Sequence, residues 1–363
     1  MTKPVLFDNL TDFINAGNQR QNTIFNANEW GEEDANPAHK KTVILYHANC
    51  WDGITAAWCA WLKFKSQAVY IPVQYGKPLP NVDWSYVAQV YILDFSYQRE
   101  ILDELYAIVN GALVVLDHHK TAEEQLRGAP YACFAKGLSG AGMAWLYFQE
   151  RHTFLSLARG KHGVYGSRMC MNTMPKHVYH AQDYDLWAFK DKETKAFRAA
   201  QDLYPREIET IQKIHDARVN ATNPLNVSAL VAKGKVILEQ KMKMVDEAAA
   251  NAFRFEFPGE HGYGYGVINN NPSLTSELGN VLALRSQAEG DSGYAAIFSV
   301  NAKSIQHGDV MLSLRSVKGV DTTGMAMRFG GGGHAQASGC KWGYAYFLQF
   351  MGYLGVKAQK EET

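Results

Sequence analysis

The chain shows no excess of either charge: 36 Lys and Arg stand against 36 Asp and Glu. A neutral balance excludes the broad basic field of a protein that tracks long nucleic acid, and leaves room only for a local basic pocket suited to a small phosphate ligand. Long apolar runs are also missing. None approaches the roughly 18 residues that would suggest a membrane-spanning helix, and Met1 to Leu10 lacks the basic and apolar regions of a secretory leader, so the sequence predicts a soluble, cytoplasmic protein. Cysteine is scarce and unpaired in pattern. The five cysteines, Cys50, Cys59, Cys133, Cys170 and Cys340, are odd in number and never spaced C-x-x-C, which argues against both a disulfide framework and a structural zinc site.

What is present is a repeated pattern of apolar runs that stop at acids and histidines. Ala112 to Leu116 is short and β-rich enough for a buried parallel strand, and it ends at Asp117-His118-His119. Thr42 to Tyr46 reads as another such strand, followed by His47-Ala48-Asn49-Cys50-Trp51-Asp52-Gly53 and an Ala-rich helix from Ile54 to Leu62. Gln89 to Leu93 is a third, followed by Asp94 and a helix from Gln98 to Val109. Ligands of open α/β sheets bind at the carboxyl ends of the strands. A carboxylate there is costly to bury unless it is paired or holds a metal, so three strands each ending in Asp or His point to a metal site. Carboxylates with imidazoles suit Mn²⁺, Mg²⁺, Fe or Zn²⁺.

The remaining stretches are read in order. Residues 1–41, with a short helix near Leu10 to Ile14, form an N-terminal extension. Gly137-Leu138-Ser139-Gly140-Ala141-Gly142 opens a helix from Met143 to Glu150, and serves either phosphate binding or close helix–sheet packing. Arg151 to Lys176 reads as an insertion or lid. Asp183-Tyr184-Asp185-Leu186-Trp187 adds two carboxylates beside aromatic residues, one of them expected as a metal ligand. After the Asn223-Pro224 break, an amphipathic helix through Arg254 connects to a second, smaller α/β domain with strands at Gly264 to Ile268, Ala295 to Val300 and Val310 to Ser316 and a helix from Leu274 to Ala288. That domain ends in Gly330-Gly331-Gly332-Gly333-His334, where bare amides can approach phosphate oxygens. The alternative is a flexible hinge. The domain boundaries expected are 1–41 extension, 42–222 catalytic domain, 223–254 linker helix, 255–350 substrate-binding domain and 351–363 tail.

Together these motifs, over roughly Thr42 to Gly343, resemble the DHH phosphoesterase superfamily with its C-terminal DHH-associated domain. The His-x-x-Cys-x-Asp-Gly form from His47 to Gly53 is most similar to its short members of the nanoRNase or oligoribonuclease-B type. The resemblance implies an α/β fold with a parallel-sheet N-terminal domain joined by a linker helix to a smaller mixed α/β domain. It also implies two Mn²⁺ ions, with Mg²⁺ as a substitute. Carried over by residue, His47, Asp52, Asp94, His118 and Asp183 would hold metal, with Asp94 bridging. Asp117 and His119 would act in catalysis, orienting ligands or donating to the leaving group. Arg315, Gly331, Gly332, Gly333 and His334 would hold the substrate phosphate. Many members carry a second Asp in the first motif, and here Cys50 lies near that place. It either coordinates, shifting metal preference toward soft ions, or packs behind His47, the reading favoured by how commonly free cysteine is buried.

The function implied is hydrolysis of short oligonucleotides or dinucleotides to nucleoside 5′-monophosphates, without a membrane or long duplex nucleic acid as partner, and with a homodimer left open. A cyclic-dinucleotide phosphodiesterase would use the same site. A catalytically silent nucleotide-binding sensor is the reading from another class. A long single-strand exonuclease of the RecJ type would want a further nucleic-acid-binding domain and a basic channel.

Overall fold

The computed structural model describes residues 41–135, 137–149 and 174–361. The short helix near Leu10, nearly all of the N-terminal extension and most of the insertion lie outside those residues. The described chain divides into two compact units, the first comprising the residues up to His118 together with Ala122–Lys235, the second His119–Thr121 and the residues from Val236 onward.

The first unit is built on a five-stranded sheet of β1 (Lys41–His47), β2 (Ala68–Val73), β3 (Val87–Leu93), β4 (Leu113–Leu116) and β5 (Ala132–Cys133), in the order β2-β1-β3-β4-β5. Every neighbouring pair is parallel. Side chains alternate across a strand, so a parallel sheet covered on both faces reads as continuous apolar sequence. Ile44 and Tyr46 of β1 join Tyr91, Leu93 and Leu116 under the helices α1 (Trp51–Phe64) and, further on, the helix Gly140–Gln149. Val43 and Leu45 join Val90, Ile92 and Val115 on the opposite face, under α2 (Arg99–Ile108) through Leu102 and Leu105. Small residues Ala56, Ala57 and Ala60 let α1 lie close to its neighbours.

The chain leaves β1 toward β2 on one side and continues with β3 on the other, so the order reverses between β1 and β3. A crevice opens at such a switch point, outside the carboxyl ends of the strands. Strand β2 has no counterpart in the sequence reading, because Pro72 interrupts its apolar pattern. Proline is tolerated there because β2 is an edge strand.

After α3 (Lys120–Gln125) and α4 (Gly140–Gln149), the helices α5 (Lys176–Asp185), α6 (Thr194–Gln201) and α7 (Ile208–Asp216) complete the first unit. The long α8 (Val227–Ala249) buries Leu230 and Val231 against Phe197 and Ile214. The boundary between the units, Lys235 to Val236, lies inside this helix. The expected helical stretch to Arg254 stops at Ala249, and Phe253 already belongs to a strand.

The second unit holds a six-stranded sheet of β6 (Phe253–Glu256), β7 (Tyr263–Ile268), β8 (Tyr294–Ser299), β9 (Asp309–Ser316), β10 (Gly332–His334) and β11 (Ala337–Gly343), in the order β10-β11-β9-β8-β7-β6. Only β7 and β8 pair in parallel, joined by the crossover helix α9 (Thr275–Ala288). The glycine run is half of the hairpin β10-β11. A Cβ on Gly331 would lie 2.0 Å from the Gly339 carbonyl oxygen, and Gly333 has φ 137°. After α10 (Ala302–His307) and α11 (Thr323–Met327), the last helix, α12 (Tyr344–Glu361), crosses the expected tail boundary without a break.

Behind the sheet, α1, α5 and α7 enclose two histidines against Trp58: His177 and His215 each lie 4.9 Å from its ring, centroid to centroid. Burial, helped by the charges of His215 and Arg218, pushes His177 down to about 3. His177 is therefore neutral in the fold while the unfolded chain takes up a proton below about pH 6.5. Its contribution to stability should fall as pH drops from 6.5 toward 3, by up to about 1.4 kcal/mol per pH unit. Urea unfolding of His177→Leu should show a shallower loss of stability over that window than the parent; parallel curves would mean that this histidine does not set the acid limit.

Candidate metal centre

The strand ends of the first sheet converge as the topology requires. His47 closes β1, Asp94 follows β3, and Asp117 and His118 follow β4. Asp52 sits in the first turn of α1, with Cys50 at its N-cap, and Asp185 is the last residue of α5. Asp94 takes up φ 56°, a left-handed conformation that Asp tolerates better than most side chains. Its amide donates to the Leu116 carbonyl at 2.9 Å, which continues the β3–β4 ladder one residue past the strand.

His118 lies at the middle of the acids. Its Nε2 is 3.1 Å from Asp94 Oδ1, 3.3 Å from Asp185 Oδ2 and 3.9 Å from Asp52 Oδ2. His47 Nδ1 is 3.4 Å from Asp94 Oδ2, and its ring is flanked by Tyr75 and Phe95. Among the described residues of the first unit, two groups of three each bring their donor atoms within 4.8 Å of one another: Asp52, Asp94 and His118, and His47, Cys50 and Asp94. Asp117 is fully buried and accepts the His118 amide at 2.7 Å, fixing the backbone from which that imidazole projects.

The electrostatics follow from burial with too few positive charges. Burial pushes the Asp52 carboxyl well above the ordinary range, and the neighbouring Asp185 and Asp94 add to it. Burial would raise Asp94 as well, but the hydrogen bonds and charges of His118 and His47 outweigh it and hold that carboxyl well below the ordinary range. For His118, burial opposes the charged form, yet Asp185, Asp94 and Asp52 overcome it and push the imidazole up to about 10. One imidazole thus faces three carboxyl groups. Asp52 Oδ2, buried, accepts no hydrogen bond from the described residues. A buried carboxylate oxygen without a donor, among oxygens and imidazoles, is a donor set that fits a hard divalent cation. Cys50 fits less well: burial first, then Asp94, Asp185 and Asp52, push its thiol well above the usual value, which disfavours a thiolate.

The glycine-rich turn serves packing. A Cβ on Gly140 would lie 2.3 Å from Asp94 Cβ, so only glycine lets α4 start this close to the end of β3. That approach puts Ser139 Oγ 2.6 Å and the Ala141 amide 3.2 Å from Asp52 Oδ1, both donating to it. The N-terminus of α4 therefore favours the charged form of Asp52. Ser139 and Gly140 support the site without a motif signal of their own, beyond the glycine spacing.

Asp183 and Asp185 divide the work expected of one carboxylate. Asp183 is buried with both oxygens occupied, accepting the Lys190 amide at 2.8 Å, the Asp191 amide at 3.2 Å and the Thr194 hydroxyl at 2.7 Å. Asp185, two residues on, faces His118. Neighbouring positions on a helix point in different directions, and sequence alone does not say which acid turns inward.

The expected phosphate-binding residues belong to the second unit. Arg315 lies in β9 beside α9, donating to the Leu314 carbonyl and the Ser276 hydroxyl. The Gly331 amide donates to the Ala326 carbonyl at 3.0 Å, so it is already engaged. His334 ends β10, and the ring of His119, which falls in the same unit, stacks on it at 4.3 Å between centroids.

No family model matches the chain. It is 27% identical over 355 residues to the uncharacterized protein R106 of Acanthamoeba polyphaga mimivirus, covering 92% of this chain and 72% of that one. It is 24% identical over 260 residues to oligoribonuclease NrnB of Bacillus subtilis, covering 69% of this chain and 58% of that one. Among solved structures, a DHH-domain protein described as a member of a family of ribosomal proteins superposes with a TM-score of 0.48 at 13% identity, over 89% of this chain and 87% of that one.

The two acids should separate in a metal titration. Asp185→Asn should weaken Mn²⁺ binding by at least the ten- to hundredfold that loss of even an outer partner costs. Asp183→Asn should leave the stoichiometry intact and lower stability by about 1–3 kcal/mol, the cost of stranding buried donors. Calorimetric titration with thermal melts of both variants checks this; a lost metal equivalent in Asp183→Asn alone would reverse the assignment.

Proposed function

We propose that the chain belongs to the DHH superfamily, a reading supported by its similarity to oligoribonuclease NrnB, and that it is a divalent-metal-dependent phosphodiesterase that hydrolyses short oligonucleotides or dinucleotides to nucleoside 5′-monophosphates. The observation that carries this reading is the convergence of Asp52, Asp94, Asp185 and His118 at the switch point of a parallel sheet, with a buried Asp52 oxygen that accepts no hydrogen bond from the described residues. The neutral net charge supports short substrates, since affinity for long strands grows with the number of phosphates neutralised.

In this reading His47, Asp52, Asp94, His118 and Asp185 would hold the divalent cations, Mn²⁺ or Mg²⁺, with Asp94 proposed as a ligand common to both. When bound, the cations supply Lewis acidity toward phosphoryl oxygens. The chain's own groups do the rest. Asp117 fixes the His118 backbone, and Ser139 with the Ala141 amide orients the Asp52 carboxylate. His119 is assigned the proton for the leaving oxygen. Arg315, His334 and the amides of Gly332 and Gly333 are assigned the substrate phosphate, with the Gly331 amide set aside because Ala326 holds it. Cys50 packs behind His47.

The test is incubation with Mn²⁺ and a panel of dinucleotides, cyclic dinucleotides and a 20-mer, with products resolved by chromatography. Linear dinucleotides should be turned over fastest and give 5′-monophosphates. Asp94→Ala should remove turnover. Arg315→Ala should raise KM about ten- to hundredfold, the range of a charged hydrogen bond, with a smaller change in kcat. Faster turnover of the 20-mer, or of a cyclic dinucleotide, would overturn the substrate assignment; a parent that binds Mn²⁺ but releases no nucleotide would overturn the activity.

A further inference from the structure

The segment that leaves the metal centre after Asp185 is built in a costly way. Trp187 has φ 51° and Phe189 has φ 44°, two bulky aromatic residues in the left-handed region within three positions. Such conformations persist only where surrounding contacts over-determine them, and they cluster at functional sites. Here the over-determining contacts are visible. The Trp187 amide donates to the Tyr184 carbonyl, the Ala188 amide to the Asp183 carbonyl, and the buried Asp183 carboxylate takes the Lys190 and Asp191 amides.

The strain displays three rings without sinking them into a core. Tyr184, Trp187 and Phe189 are only partly buried. Trp187 meets Phe189 edge-on at 4.6 Å between centroids, and Tyr184 lies 5.4 Å from Trp187. Cations sit over them: Lys195 Nζ is 4.3 Å from the Phe189 ring and 5.7 Å from Trp187, and the Arg198 guanidinium is 5.2 Å from Tyr184. Arg198 also lies 5.8 Å from the ring of Trp51, the residue before Asp52, and Arg206 donates to the Asn49 carbonyl in the same turn. The rings are thus tied on one side to Asp185 and on the other, through Arg198, to the turn that carries Asp52.

We propose that Tyr184, Trp187 and Phe189 form a stacking platform for a nucleobase of the substrate, with Lys195 beside it to meet the adjoining phosphate, while Arg198, paired with Asp202, braces the Tyr184 ring. The proposal rests on the reading of the site as a phosphodiesterase of short nucleotides. Flat π surfaces flanked by cations are how single-stranded nucleic acid is held without regard to sequence, because every base has a π face. Stacking on this platform fixes one nucleoside beside the acids and is indifferent to base identity. Asp183 is the positioning residue that holds the loop.

The test compares binding of adenosine 5′-monophosphate with ribose 5-phosphate by calorimetry in Mn²⁺, using the full chain. The parent should bind the nucleotide about five- to hundredfold more tightly, the range of one base stack. Trp187→Ala should collapse that preference while leaving ribose 5-phosphate affinity in place, and Trp187→Phe should restore most of it. For a dinucleotide, Trp187→Ala should raise KM more than it lowers kcat, and an abasic analogue should show no such shift. Lys195→Gln, at a half-buried cation, gives a second variant if Trp187→Ala fails to fold, and should weaken both ligands a few-fold. Equal affinity of the parent for the two probes, or an intact preference in Trp187→Ala, overturns the platform even if hydrolysis is found. A base preference that depends on Trp187 in a protein without hydrolysis upholds the platform and overturns the activity.

Discussion

The first unit is organised by the need to keep Asp94 ionised where no water can reach it. The carboxylate is 1% exposed, so its charge is tolerable only with partners placed around it. Those partners come from every neighbouring strand: His47 from β1, His118 from β4, and the ladder bond from Leu116 that sets the backbone. The parallel order places the three strand ends side by side. Had the order not reversed between β1 and β3, His47 and Asp94 would not face one crevice.

The surrounding packing serves the same constraint at one remove. The missing side chain of Gly140 lets a helix N-terminus reach Asp52. Gly53, where a Cβ would fall 2.3 Å from the His47 carbonyl oxygen, lets α1 begin beneath the end of β1. Asp183 does not face His118, yet by anchoring the loop after α5 it sets the path of the chain beyond Asp185. Supporting partners of this kind set the orientation of the groups they touch, which is why sites of this class extend well beyond the side chains that would meet a cation.

Much of this could be read before any coordinates. Apolar runs ending in Asp or His announced β1, β3 and β4, because a parallel strand covered on both faces carries no polar alternation and ends abruptly. Three of the second domain's strands, β7, β8 and β9, were legible as short apolar runs, and the helix Thr275–Ala288 as the stretch between two of them. Strand β2 was not, since Pro72 reads as a breaker unless the strand is known to lie at an edge. Asp183-Tyr184-Asp185 offers two carboxylates, and which of them turns toward His118 depends on helix rotation and is not written in spacing. Ser139 was legible only as part of a glycine-rich turn, whose packing role depends on a contact with Asp94, far earlier in the chain. The glycine run before His334 offered a ligand loop or a hinge as readings, and spacing did not show that Gly332 and Gly333 form one strand of the hairpin β10-β11, where a Cβ on Gly331 or Gly333 would collide with the opposite backbone.

The residues that meet around His118 come from four distant places in the chain, at positions 52, 94, 118 and 185. No fragment ending before α5 holds the full set, and none of the set is brought together by local structure. Parallel strands form late because each crossover must close a long loop before its pairing contributes. A cation that needs all four groups therefore has nothing to bind on the nascent chain or on a partly ordered sheet. Its binding free energy is added only to the finished arrangement, where it becomes folding free energy. An ion bound there would act as a late lock on correct strand order without nucleating it, and a chain with β1, β3 and β4 misregistered would lose both its core and the grouping of these four side chains.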